Sequence, residues 1–334
     1  MTGRTLVATA LLSLSLVAAC SGDPASSPAE GDGKHAAEPA TSPPLRTEPA
    51  GTTTKVAPGP QGIVYDARTR SLAVAVRDPY RLVVLDPTTL RQRFSVQLPG
   101  KVRHLQVTAR GGTALVPSET ANTLFEVDLR TGKARATKVQ RHPHDASGAG
   151  NGDVLVANEF SGSLSKVRDG KVVATQSDLR QPGGVHVVGG TAVAVDVGDY
   201  TVTTYDLDTL RRVSRVPAGK GPTHGVPVGG GRFAVTDTRG NAVLLYTLDP
   251  LKQIGRLSLP GSPYGIVGDP AARRVWVTLT GRNRLVGLDV RGSTPRVVAR
   301  YPTARQPDTV AVDPVSGTLW VTGTEDGVVE RITR

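Results

Sequence analysis

Apolar positions along this chain fall in short runs of four or five residues, rich in Val, Ala and Leu, broken by Gly, Pro, Asp and Thr and without helical periodicity. Seven such runs follow a Pro or Gly: Gly62-Ile-Val-Tyr-Asp, His104-Leu-Gln-Val, Asp145-Ala-Ser, Gly184-Val-His-Val, Gly225-Val-Pro-Val, Gly265-Ile-Val-Gly-Asp and Thr309-Val-Ala-Val-Asp. The residues just before them, Gln61, Arg103, His144, Gly183, His224, Tyr264 and Asp308, recur at intervals of about 41. A repeat of that length, built from short strands, predicts a propeller.

Three further strands recur in each unit. The second reads Leu72-Ala-Val-Ala-Val, Ala192-Val-Ala-Val, Val275-Trp-Val-Thr or Leu319-Trp-Val-Thr, and the third often ends in an Asp that can cap its own turn, as at Asp86, Asp128, Asp206 and Asp289. The fourth is shorter and more polar, as in Arg93-Phe-Ser-Val. The last unit stops after its third strand, at Val328–Ile332, while a spare β-prone segment, Thr52-Thr-Thr-Lys-Val56, precedes the first. The predicted fold is therefore all-β: a seven-bladed β-propeller of four-stranded antiparallel blades. Residues 52–56 supply the outer strand of the last blade and so remove the open edge.

The amino end differs. After Arg4 the chain is apolar from Leu6 through Ala19 and then reaches its one cysteine, Cys20. Such a stretch is short for a membrane span and reads as a signal peptide. Val17-Ala18-Ala19-Cys20 resembles the bacterial lipobox, with Val17 where Leu is commoner. That resemblance implies a signal peptide over 1–19, lipidation of Cys20 and a protein anchored at the extracytoplasmic face of the cell membrane. Two acyl chains suffice for stable anchoring. With Cys20 consumed in this way, the folded part has no thiol, which excludes thiolate catalysis and thiolate metal sites.

Residues 20–51 hold almost no large apolar side chain and read as a disordered tether, leaving 52–334 for the propeller. The chain carries a net charge of +11. Segment 21–57 has five acids and three bases, so the excess sits on the body. A basic body can lean on anionic lipid or wall polymer, although an Arg-rich, actinobacterial-looking composition explains it equally. No zinc finger, basic helix or aromatic-basic interleaving points to nucleic acid. The partners expected are the membrane, through the anchor, and a protein, cell-wall or small-molecule ligand.

The Pro-x-Gly-Val-Ala-Val-Asp, Leu-Trp-Val-Thr and Val-x-x-Leu-Asp patterns resemble the YVTN- and NHL-type propeller repeats of bacterial surface and periplasmic proteins. The resemblance covers about 280 of the 334 residues and implies blade construction. Members of that superfamily are variously scaffolds, lactonases, lyases and metal-handling proteins, so the fold leaves the activity open.

Candidate chemistry gathers where loops converge on the central tunnel. His104, His142, His144 and His224 fall at or just before inner strands, and His186 lies within one. Loops joining second to third strands carry Glu119, Glu159, Asp199, Asp237, Glu325 and Asp326. Imidazoles and carboxylates from different blades could hold a divalent metal ion, and the candidate ligands are His104, His144, His186, His224, Asp145 and Glu159. In the run His142-Pro-His144-Asp145 neighbouring side chains point apart, so only some of these groups can share a site. Trp276 and Trp320 read as packing between blades. No nucleophile elbow is present. The first functional expectation is a non-catalytic binding or scaffold protein. The alternative is a divalent-metal propeller, for metal handling or lactonase- or lyase-like turnover. A third option is an accessory subunit of a membrane complex.

Overall fold

The computed structural model describes residues 1–3 and 34–334; Cys20 and its lipobox lie outside the described residues. From Lys34 onward the chain forms seven four-stranded antiparallel sheets, with helix confined to two single 3-10 turns, Glu159–Ser161 and Thr280–Arg282. We number the blades by the first strand of each: Ile63–Asp66, Gln106–Val107, Pro143–Gly148, Pro182–Val188, Pro222–Gly229, Pro263–Asp269 and Val310–Val312. Blade 7 is completed by Thr52–Lys55, which pairs antiparallel with Val328–Ile332 in the register Thr52 to Arg331 and Lys55 to Val328. The expected closure is present, one residue shorter than the sequence segment that predicts it.

Each strand's composition matches its depth. The second strand of blade 1, Ser71–Val76, is buried along its whole length, whereas the outer strand Gln92–Gln97 is mostly exposed. Apolar residues then have only neighbouring blades to pack against. The result is seven buried clusters, one at each blade junction, among the described residues. Trp276 fills the seam between blades 6 and 7, and Trp320 the one between blades 7 and 1. The Asp-terminated third strands behave as expected: the Asp128 carboxylate accepts from the backbone N–H of Arg130 and of Thr131, at 2.9 and 2.8 Å, and Asp206 accepts from Thr209. These bonds to the charged form pull the Asp128 pKa down.

Of the segment read as a tether, residues 34–51 are described. They run along the ring instead of away from it, with Ala37 and Ser42 buried, and join the closing strand at Gly51, whose N–H donates to Glu330 at 2.8 Å. Their composition lacks the large apolar residues that would announce docking. What holds them is main-chain hydrogen bonding to loop side chains, described below.

Candidate metal centre at the tunnel mouth

The geometry of the mouth follows from where each inner strand begins. Pro143, Pro182, Pro222 and Pro263 pair with Asn158, Asp196, Asp237 and Leu279 at the ends of the second strands. The next residues, His144, Gly183, Thr223 and Tyr264, therefore occupy one repeat position. This corrects the spacing argument, which places His224 beside His144. His224 stands one residue further in, level with Asp145. A similar slip affects the acids. The backbone N–H groups of Glu119, Glu159, Val197, Thr280 and Thr324 all donate to carbonyls of the loops leading into the inner strands. These are the equivalent positions, and only two of them carry a carboxylate. Asp237 instead accepts from the backbone N–H of Lys220 and Gly221, Asp326 from that of Arg305, and Asp199 and Glu325 face arginines.

Three histidines from blades 2, 3 and 5 converge. The His104 ring centroid lies 4.6 Å from that of His144 and 4.4 Å from that of His224. One potential ligand atom from each falls within 4.8 Å of the others. His224 Nδ1 lies 3.1 Å from the Tyr264 carbonyl, which accepts only, so Nδ1 carries the proton and Nε2 keeps a lone pair. Nε2 of His104 is buried without a hydrogen-bond partner. An orphaned nitrogen of that kind is costly unless something occupies it. Burial, reinforced by the neighbouring histidines, lowers the His104 pKa well below its ordinary value. Burial likewise lowers that of His224, to about 3. Both rings are neutral and able to donate an electron pair.

His144 is different because two carboxylates seat it. Its Nδ1 is 3.1 Å from both Glu119 Oε1 and Glu159 Oε2, an ionic contact shared between two acceptors and linear with neither. Burial opposes charge on this ring, but Glu159 and Glu119 overcome it and raise the pKa to about 9. Burial also penalises Glu119, yet His144, Arg103 and Lys101 hold it at about 2. Arg103 donates from Nε to Glu119 at 2.8 Å and lies 3.7 Å from Glu159. With Nδ1 turned to the carboxylates, Nε2 of His144 is left for the cluster. A carboxylate behind a histidine fixes its tautomer and orientation, a common arrangement behind a metal-bound imidazole.

The remaining candidates divide. Glu159 belongs to the site as the partner of His144 and of His142, whose Nδ1 is 3.2 Å away. His142 and Glu119 form a second possible ligand group with His144. Asp145 points the other way, into the tunnel, where it accepts from Gln106 Nε2 and from the backbone N–H of Val185, each at 3.0 Å. His186 is also separate: it lines the tunnel, with its ring edge-on to Phe233 at 5.7 Å. A cavity of about 340 Å³ follows the inner strands and is bordered by His104, His224, His186, Gln106 and Asp145. Asp145→Ala is expected to leave cation binding unchanged while destabilising the fold by about 1–3 kcal/mol, the cost of unpaired buried donors. Urea unfolding and zinc titration of that variant check both halves.

No protein-family model matches the sequence, and no curated protein matches it significantly. Many solved structures share its fold. A chain of Kuenenia stuttgartiensis hydrazine synthase is 20% identical over 84% of this chain and 97% of that one, with a TM-score of 0.74. Streptogramin B lyase is 14% identical over 86% and 97%, with a TM-score of 0.72. A chain of the mitotic checkpoint complex is 11% identical over 92% and 99%, with a TM-score of 0.74. Similarity at this level establishes the propeller fold. It spans an enzyme and an assembly component alike, so the choice of function rests on the site.

Proposed function

We propose that this protein is a lipid-anchored, extracytoplasmic propeller that captures and holds a divalent transition cation at its tunnel mouth, as a binding protein rather than a catalyst. The observation that carries this is the convergence of His104, His144 and His224, one of them with a buried nitrogen that lacks a partner. Three imidazoles suit zinc, cobalt, nickel or copper, and are poor ligands for magnesium or calcium. The bound ion would be a Lewis acid. The surrounding residues, however, favour holding over turnover, because a bound ion would take up the free lone pairs of His104, His144 and His224, and the remaining nearby imidazole, His142, has its Nδ1 on Glu159 at 3.2 Å. Placement outside the cell membrane is supported by the leader ending in Ala18-Ala19-Cys20.

Equilibrium dialysis against zinc tests the reading, with one tightly held equivalent expected. Its pH dependence has a definite sign. His144, with its pKa raised to about 9, is protonated at neutral pH, whereas His104 and His224 are not. Zinc must displace one proton, from Nε2 of His144, while Nδ1–H stays on the carboxylates. Apparent affinity should therefore rise about tenfold per pH unit from neutrality and level off near pH 9. Calorimetry in buffers of different ionisation enthalpy should report about one proton released per ion.

A further inference from the structure

Residues 34–43 cross the mouth that holds the histidine cluster. Resting on the cation reading above, we infer that this stretch is a strap that closes the site and must lift for a cation to enter or leave. Its main chain is read by side chains of four blades. Tyr200 donates to the His35 carbonyl at 2.9 Å, and Arg239 to the carbonyls of His35 and Ala36 at 3.1 and 3.2 Å. Ala40 N–H donates to Ser262 at 3.1 Å, and Ser42 N–H to Gln306 at 2.9 Å. Asn283 donates to the Pro43 carbonyl at 2.8 Å. Small residues make the approach possible: a methyl on Gly221 would meet Ala37 at 3.3 Å, and one on Gly281 would meet Ala40 at 3.5 Å.

The strap is also wired to the site. Glu38 lies 3.8 Å from Arg103, the residue that clamps Glu119 and faces Glu159, and these are the carboxylates that seat His144. It is built to release, because it buries only Ala37 and Ser42 and is held by hydrogen bonds that water can replace. The opposite route, up the tunnel, passes Ile63, Leu105, Val226, Ile266 and Val310. That wall also carries Gln106, Asp145 and His186, with Asp145 already committed to Gln106 and Val185; a cation that used this route would leave at the same rate whether or not the strap is locked.

A reversible lock tests this. In the full chain carrying Cys20→Ser, Ala40→Cys with Ser262→Cys places the only two thiols where strap and ring already meet. Zinc-loaded protein is mixed with excess EDTA and the rate of zinc loss is followed. The oxidised form should lose zinc at least tenfold more slowly than the same protein after reduction. Gln306→Ala with Asn283→Ala, which loosens the strap outside the cation site, should lose it several-fold faster than wild type. Equal rates for oxidised and reduced protein that each hold one zinc would overturn the strap and leave the cation site standing. Should the disulfide fail to form, an unchanged rate in the Gln306 and Asn283 variant overturns it. If no form holds zinc at all, the cation reading falls and the strap's role falls with it.

Discussion

Alanine at His104 or at His224 should weaken zinc binding by about 100-fold or more. Structural zinc sites hold their ion with about 10–16 kcal/mol over four ligands, so each ligand accounts for roughly 3 kcal/mol. The folded protein should survive the change, because the site lies at the mouth, outside the seven blade seams. His186→Ala is the control: it removes a half-buried tunnel imidazole, one outside the cluster, and should leave zinc affinity within about twofold. Competition against a zinc-responsive dye separates the two outcomes. A thermal readout adds a second check, since zinc at 100 times its Kd should stabilise wild type by about 2.7 kcal/mol and stabilise the His104 variant far less.

Trp320→Ala should be among the most damaging substitutions in the chain, costing about 3–5 kcal/mol in urea unfolding. The indole is 2% exposed, donates from Nε1 to the Pro87 carbonyl at 3.0 Å, and stacks on Tyr65 with centroids 4.8 Å apart. Pro87 and Tyr65 belong to blade 1 and Trp320 to blade 7, so one side chain fastens the two ends of the ring. Removing it opens a cavity in the cluster that joins blade 7 to blade 1, beside the blade that Thr52–Lys55 completes. Val315→Ala, at a fully solvated turn, should change stability by less than about 0.5 kcal/mol. Comparable losses from both would mean that the ring does not depend on this seam.

Blade number, strand order and closure were legible in the sequence because each follows from repeat length and from a missing strand replaced at the other end. The tunnel mouth was legible only in part. Counting residues located the histidines to within one position, and one position decides which way a strand side chain points. Reading the proline before each inner strand as the fixed mark puts Thr223, not His224, level with His144; the same mark separates His144 from Asp145. The carboxylates that matter, Glu119 and Glu159, were among those noted, but Asp237 and Asp326 looked equivalent until their backbone hydrogen bonds showed them capping turns. The strap was hidden for a different reason. Composition reports what a segment can bury, and residues 34–43 are held chiefly through their own main chain, which any sequence of small residues would offer.

The central claim is that a divalent transition cation sits among His104, His144 and His224. The most direct measurement is anomalous diffraction from zinc-loaded crystals, recorded on both sides of the zinc absorption edge. The account predicts a single strong anomalous peak within bonding distance of all three imidazoles, about 2.0–2.1 Å from each nitrogen, with Glu119 and Glu159 still behind His144. No peak at the tunnel mouth, or a peak elsewhere while the three rings remain bare, would contradict it.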